Sequence, residues 1–174
     1  MSETELRYDA TGWAEWPEVA AWPRREAWTL FVPDPSSRMN AARWSQQAKR
    51  FFRATAALSP EKSYEGGTPR RDRAEFWLEQ APHPATVVAV QTIPLDDAPA
   101  LLADAERAAD AMGGAGMDRL LKRATRIWQL RARDDRGAKL AAALLASIYL
   151  GPCLPPEEDI LVGVRGMRLR LDGP

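Results

Sequence analysis

The side chains that carry most enzymatic chemistry are scarce in this chain. With one histidine, His83, and one cysteine, Cys153, neither a zinc site built from several Cys and His ligands nor an internal disulfide can be assembled. His83 stands in Ala81-Pro82-His83-Pro84, where the prolines force an extended turn with no nucleophile beside it. Cys153 follows a very apolar run and is bracketed by Pro152 and Pro155. That setting predicts an inert, buried thiol, because a reactive one needs electropositive and partly exposed surroundings. Gly113-Gly114-Ala115-Gly116 is followed by Met117-Asp118 and preceded by a helical pattern. It therefore lacks the Gly-Lys-Ser/Thr of a phosphate-binding loop and the strand that precedes a dinucleotide-binding turn, and reads as a helix stop. No Gly-x-Ser-x-Gly occurs. The acidic runs Asp96-Asp97, Asp134-Asp135 and Glu157-Glu158-Asp159 read as helix caps and turns; a carboxylate-metal enzyme would need distant acids such as Glu75, Glu79, Asp96 and Asp159 to converge. No catalytic residue, metal or cofactor is assigned, and the chain is expected not to be an enzyme.

Residues suited to binding are abundant. Trp is the side chain most often found as an interface anchor, and there are seven. Trp13, Trp16 and Trp22 lie in an acidic N-terminal stretch broken by Pro17 and Pro23. Together with Arg70, Arg71 and Arg73 of the 66–73 loop they are expected to form a protein-binding surface. Arg43, Arg50 and Arg53, with Arg119, Arg123 and Arg126, are candidate contacts for phosphates or an acidic partner. Sequence-specific RNA reading by stacked strand aromatics is disfavoured: the 85–93 run has none, and Phe76 and Trp77 are adjacent and so face opposite ways.

These residues must be positioned by one domain. The chain has 174 residues, 45% hydrophobic and 28% charged, which suits a soluble globular fold. Lys+Arg 24 balance Asp+Glu 24, which excludes a uniformly basic coat. The balance conceals blocks: about −4 over 1–34, about +6 over 35–74, about −7 over 75–118, about +6 over 119–139 and about −1 thereafter. No apolar run is long enough to span a bilayer, and the N-terminus is polar, so neither a membrane partner nor a secretory leader is expected. A lone cysteine suits a reducing cytoplasm, and 20 Arg against 4 Lys suggests a GC-rich bacterial source.

Along the chain, 1–26 reads as a Trp/Pro-rich segment ahead of a single α+β domain over 27–174. The spacing predicts a strand at 27–32, then a helix from Ser36 or Ser37 to about Leu58 with Trp44, Ala48, Phe51, Thr55 and Leu58 on its buried stripe. A polar loop over 60–73 leads to a hairpin of strands 74–80 and 85–93, the second nearly uncharged and so central. A helix follows from Asp96 or Asp97 to about Met112, and another to about Arg126, while 127–133 fits helix or strand. Residues 138–150 carry one charge and predict a helix buried nearly all round. Alternation of Ile160, Val162 and Val164, resumed after Gly166 by Met167, Leu169 and Leu171, predicts a C-terminal strand or hairpin with a bulge. The order is that of a ferredoxin-like βαββαβ sandwich with extra helices inserted before the last strand. The expected role is binding: a protein–protein interaction module such as an inhibitor, immunity-type partner or accessory subunit, with a nucleic-acid-binding subunit as the alternative.

Overall fold

A computed structural model describes residues 20–58 and 73–172, with two short antiparallel ladders, Arg7–Tyr8 with Ala14–Glu15 and Tyr64–Glu65 with Thr68–Pro69. Strand β1 (Trp28–Val32) is closed by Pro33. Helix α1 (Ala41–Phe52) starts where the Asn40 side chain accepts the Arg43 N–H at 3.0 Å, so one orphan donor of the first turn is satisfied. It ends at Arg53, in the left-handed region at φ 49°, which turns the chain back into β2 (Thr55–Leu58). The hairpin β3 (Arg73–Glu79) and β4 (Thr86–Pro94) follows. Pro99 opens α2 (Pro99–Ala111), and Gly113, Gly114 and Gly116, all at positive φ, separate it from α3 (Met117–Arg123). Then come β5 (Arg126–Ala132), α4 (Asp135–Tyr149), the two-residue β6 (Cys153–Leu154) and α5 (Val164–Asp172).

The six strands form one antiparallel sheet in the order β6-β1-β5-β4-β3-β2. Alternation along the strands divides the core in two. Leu30, Val88, Val90, Trp128 and Leu130 face α1, α4 and α5, which we call the inner side. Phe31, Ile93 and Ile127 form a cross-strand row on the outer side, under α2 and Leu121 of α3. Eleven of the fifteen residues of α4 are buried, as its composition predicts for a helix enclosed by its neighbours.

On the inner side Trp44 stacks on Phe76 at 4.1 Å and Trp128 on Tyr149 at 4.5 Å. Their polar atoms are answered: Trp128 Nε1 donates to Ser37 Oγ, Trp44 Nε1 to Tyr149 Oη, and Tyr149 Oη to the Arg38 carbonyl. Burial pushes the Tyr149 hydroxyl up to about 12. Gly151 is the close approach that brings the end of α4 onto β1, since a Cβ there would stand 2.3 Å from the Phe31 carbonyl oxygen.

The mixed α+β class holds, but the sheet order is not that of a simple ferredoxin-like sandwich. A split βαβ unit puts one strand between its parallel pair, whereas β5, β4 and β3 all lie between β1 and β2, and helices cover both faces. Three local readings account for the difference. The helix predicted to reach Leu58 stops at Phe52, so its stripe is Trp44, Ala48 and Phe52, with Phe51 left 46% exposed. Residues 126–132 are a strand. The predicted C-terminal strand is largely helix α5, where Val164, Met167 and Leu171 at spacings of three and four meet the inner core, and Gly166 lies within the helix rather than at a bulge.

Among the described residues, three carboxylates are held below their usual range: Asp34 and Asp134 mainly by hydrogen bonds from Ser36 and Thr86, and Glu158 by a bidentate bond from Arg170. A depressed native pKa means the unfolded chain takes up the proton first. This stabilisation is therefore complete above about pH 4 and is lost as pH falls through the lower native values. The urea midpoint should accordingly drop on acidification below about pH 4. Combining Asp34→Asn, Asp134→Asn and Glu158→Gln should flatten that limb; an equally steep limb in the triple variant would show the assignment to be wrong.

Candidate binding surfaces

Helix α2 covers only the end of the outer sheet face carrying Phe31, Ile93 and Ile127. Beside it Ala20–Trp22 lies across the strands, held by two glutamine side chains. Gln129 accepts from the Trp22 N–H at 2.7 Å and donates to the Trp22 carbonyl at 2.9 Å, so one primary amide pairs with the backbone much as a neighbouring strand would. Gln91 donates to the Ala20 carbonyl and to Gln129 Oε1, both at 3.0 Å. The Trp22 indole lies under the Arg131 guanidinium at 4.2 Å, with that of Arg73 at 5.8 Å.

Past this strap, the outer faces of β2, β3 and β4 have no covering element among the described residues. The register aligns Ala57, Trp77 and Val87 in one row and Glu75, Ala89 and Arg131 in the next. Trp77 is 55% exposed and Val87 43%. The second row floors a shallow depression of about 810 Å³ that also takes in Val87, Glu26, Thr86, Arg133 and Asp134. This is an apolar pair bordered by charges of both signs.

The helical layer has a different surface. Arg43, Lys49, Arg50 and Arg53 project from α1 and Arg165 from α5, with Arg168 half-buried beside them. The guanidinium of Arg50 lies 5.1 Å and that of Arg168 5.4 Å from the centroid of the Phe51 ring. Arg168 Nε also reaches Ser147 Oγ at 3.4 Å, and Arg43 Nη2 the Ile148 carbonyl at 3.3 Å.

The chain matches no protein-family model, no curated protein and no solved structure. Its surfaces therefore have to be read from their own chemistry.

Of the residues singled out in the sequence, Trp13, Trp16, Arg70 and Arg71 lie outside the described residues. Trp22 and Arg73 do come together, but Trp22 is only 8% exposed, so its indole serves the chain's own sheet and is not an exterior anchor. Arg126 is likewise corrected: it is buried, donating from Nε to Thr92 Oγ1 at 3.0 Å. Arg119 and Arg123 ride on α3, across the sheet from Arg43, Arg50 and Arg53, so the two basic blocks do not merge. No group of three His, Cys, Asp or Glu side chains able to hold a metal ion occurs among the described residues. Asp159 is paired with Arg24 at 2.8 Å, while Glu75 and Glu79 stand on β3. Cys153 is fully buried, and burial pushes its thiol upward. No helix among the described residues is long and apolar enough to cross a membrane.

Sequence reasoning missed Trp77 as a surface residue, although its alternation with Phe76 and Leu78 was the available signal. It missed Arg165 and Arg168 as companions of α1, because the segment read as a strand.

Proposed function

We propose that this chain is a non-catalytic binding protein that docks a protein partner on the open half of its outer sheet face, as an inhibitor, immunity-type partner or accessory subunit in a bacterial cytoplasm. The exposed cross-strand pair Trp77 and Val87 carries this reading. A large indole beside a β-branched side chain is costly to leave in water, at roughly 25 cal/mol per Å² of apolar surface. An apolar centre rimmed by Glu75, Arg131 and Arg133 also has the anatomy of a protein interface. Ala57 continues the row to β2, the edge strand, where it and Thr55 are small and exposed and allow close approach.

The test is to identify by mass spectrometry what the tagged full chain captures from its source cells, then to measure the purified pair directly. Trp77→Ala should weaken the dissociation constant by at least about thirtyfold, the range of an anchor residue, while the thermal midpoint moves by no more than about 2 °C, as for an exposed substitution. A purified partner that binds the Trp77→Ala and Val87→Glu variants as tightly as the wild type would overturn the reading.

A further inference from the structure

We propose that the α1–α5 surface binds the phosphodiester backbone of single-stranded nucleic acid, independently of the sheet face. The first argument is charge. Five cations elsewhere among the described residues pair with carboxylates, Arg24 with Asp159, Arg107 with Asp104, Arg131 with Glu26, Lys139 with Asp135 and Arg170 with Glu158, whereas the α1–α5 surface gathers six cations without one. Arg43, Lys49, Arg50, Arg53, Arg165 and Arg168 make no such pair among the described residues, and α1 contains no acid at all. Arg50 and Arg168 approach the same ring, at 5.1 and 5.4 Å from its centroid, so their separation is of the order of the Debye length of about 8 Å at physiological salt or less. Their fields therefore add, and a bound anion relieves the repulsion.

The second argument is position. Cations near a helix C-terminus stabilise that helix through its dipole, which accounts for Lys49 and Arg50 in the last turn of α1. Arg165 is in the first turn of α5, where the same dipole disfavours a positive charge. Intrachain stability does not explain it; an external anion does.

The third argument separates nucleic acid from an acidic polypeptide. Five of the six cations are arginines, the same share as in the whole chain, and their planar forks match phosphate oxygens in pairs and also stack on bases. Phe51, 46% exposed beside two guanidinium groups, adds an aromatic surface. An unpaired base has a π face to lay on such a platform, whereas a carboxylate side chain does not. Bases within a duplex cannot reach the ring without unstacking, so the single-stranded form is favoured.

The experiment is fluorescence anisotropy of a labelled homothymidine oligonucleotide of about 20 nucleotides, titrated with the purified full chain. About four phosphate contacts predict a log–log salt slope near −3, so affinity should fall about sixtyfold between about 50 and about 200 mM salt. The exposed pair Arg50→Glu with Arg165→Glu should weaken binding at least about tenfold at low salt, with the thermal midpoint moved by no more than about 2 °C because the two reversals act in opposite senses on their helix dipoles. Phe51→Ala should weaken the oligonucleotide about tenfold while leaving inorganic polyphosphate nearly unaffected. Trp77→Ala should change neither, which keeps this outcome separate from the sheet-face test. The proposal is overturned if no binding occurs by on the order of 100 μM protein at low salt, if the double charge reversal binds normally, or if polyglutamate of matched charge competes as well as the oligonucleotide.

Discussion

Trp128→Ala should cost about 3–5 kcal/mol, the range for truncating a buried aromatic side chain. For a domain whose total stability is about 5–15 kcal/mol, that is enough to leave the protein near its unfolding threshold. Three losses add at this position. Trp128 is 0% exposed, so removing the indole opens a cavity in a close-packed interior that can relax only in part. It stacks on Tyr149 at 4.5 Å with an interplanar angle of 18°, and lies 5.6 Å from Trp44, so two further rings lose a neighbour. Its Nε1 donates to Ser37 Oγ at 3.0 Å, which would leave a buried hydroxyl short of a partner in the loop ahead of α1. The thermal midpoint should fall by roughly 10 °C, at about 2–4 °C per kcal/mol for a chain of this size. Trp128→Phe keeps a ring on Tyr149 and should recover most of the loss, short of about 1–2 kcal/mol for the missing bond and volume. Calorimetry of the two variants settles it: a Trp128→Ala loss below about 1 kcal/mol would mean that the packing described for the inner side is wrong.

Gln129→Leu should have the next largest effect, and a local one. Leucine is close to glutamine in shape but offers neither the acceptor for the Trp22 N–H nor the donor for the Trp22 carbonyl. It also strands one of the two Gln91 Nε2 bonds. Each buried polar group left unpaired costs about 1–3 kcal/mol. Ala20–Trp22 can avoid that cost by lifting into water, so the global loss is capped at about 2–4 kcal/mol and residues 20–26 should open well before the sheet does. Hydrogen exchange should show lost protection at the Trp22 amide with little change in β4 and β5. Uniform loss of protection across the sheet, or none at Trp22, would contradict the clasp. The variant also bears on function, because releasing the strap extends the open sheet face towards Thr29 and Gln91.

The two surfaces lie on opposite sides of the molecule and differ in kind. The sheet face is an apolar pair with a mixed-charge rim, and its binding should be modestly sensitive to salt. The helical face gathers six cations that make no pair with a carboxylate among the described residues, and its binding should be steeply so. A partner on one leaves the other free, an arrangement suited to a subunit that joins a protein to a nucleic acid.

How far the sequence could be read depended on whether a pattern admitted one geometry. The 85–93 run is β-branched and nearly uncharged, and it is the interior strand β4; the low-charge Ala/Leu run became the enclosed helix α4. Both patterns suit only one environment. Thr55–Leu58 continues the helical spacing of α1, and nothing in Arg53 announces a left-handed turn in the way a glycine would. Residues 160–171 alternate over short stretches but also carry Val164, Met167 and Leu171 at helical spacing, and local pattern could not choose between the two. Trp22 reads as an exterior anchor because an indole in a proline-broken segment has no visible partner in the sequence. Its backbone is held by Gln129, 107 residues away, and its indole lies under Arg131 on the same strand.

By itself the sequence determined the class of fold: a mixed α+β arrangement, a central uncharged strand, an enclosed helix, a buried cysteine and charges segregated into blocks. These follow from local propensity and from the cost of burying charge, which act on neighbouring residues. Tertiary structure alone decided the strand order, which aromatics are buried and which face solvent, and which basic residues share a surface. Those depend on pairings between residues far apart in the chain, such as Trp77 with Val87 across a hairpin or Arg168 with Phe51 across two helices. No periodicity records them, because the energy that selects them exists only once the sheet has formed and its faces have been filled.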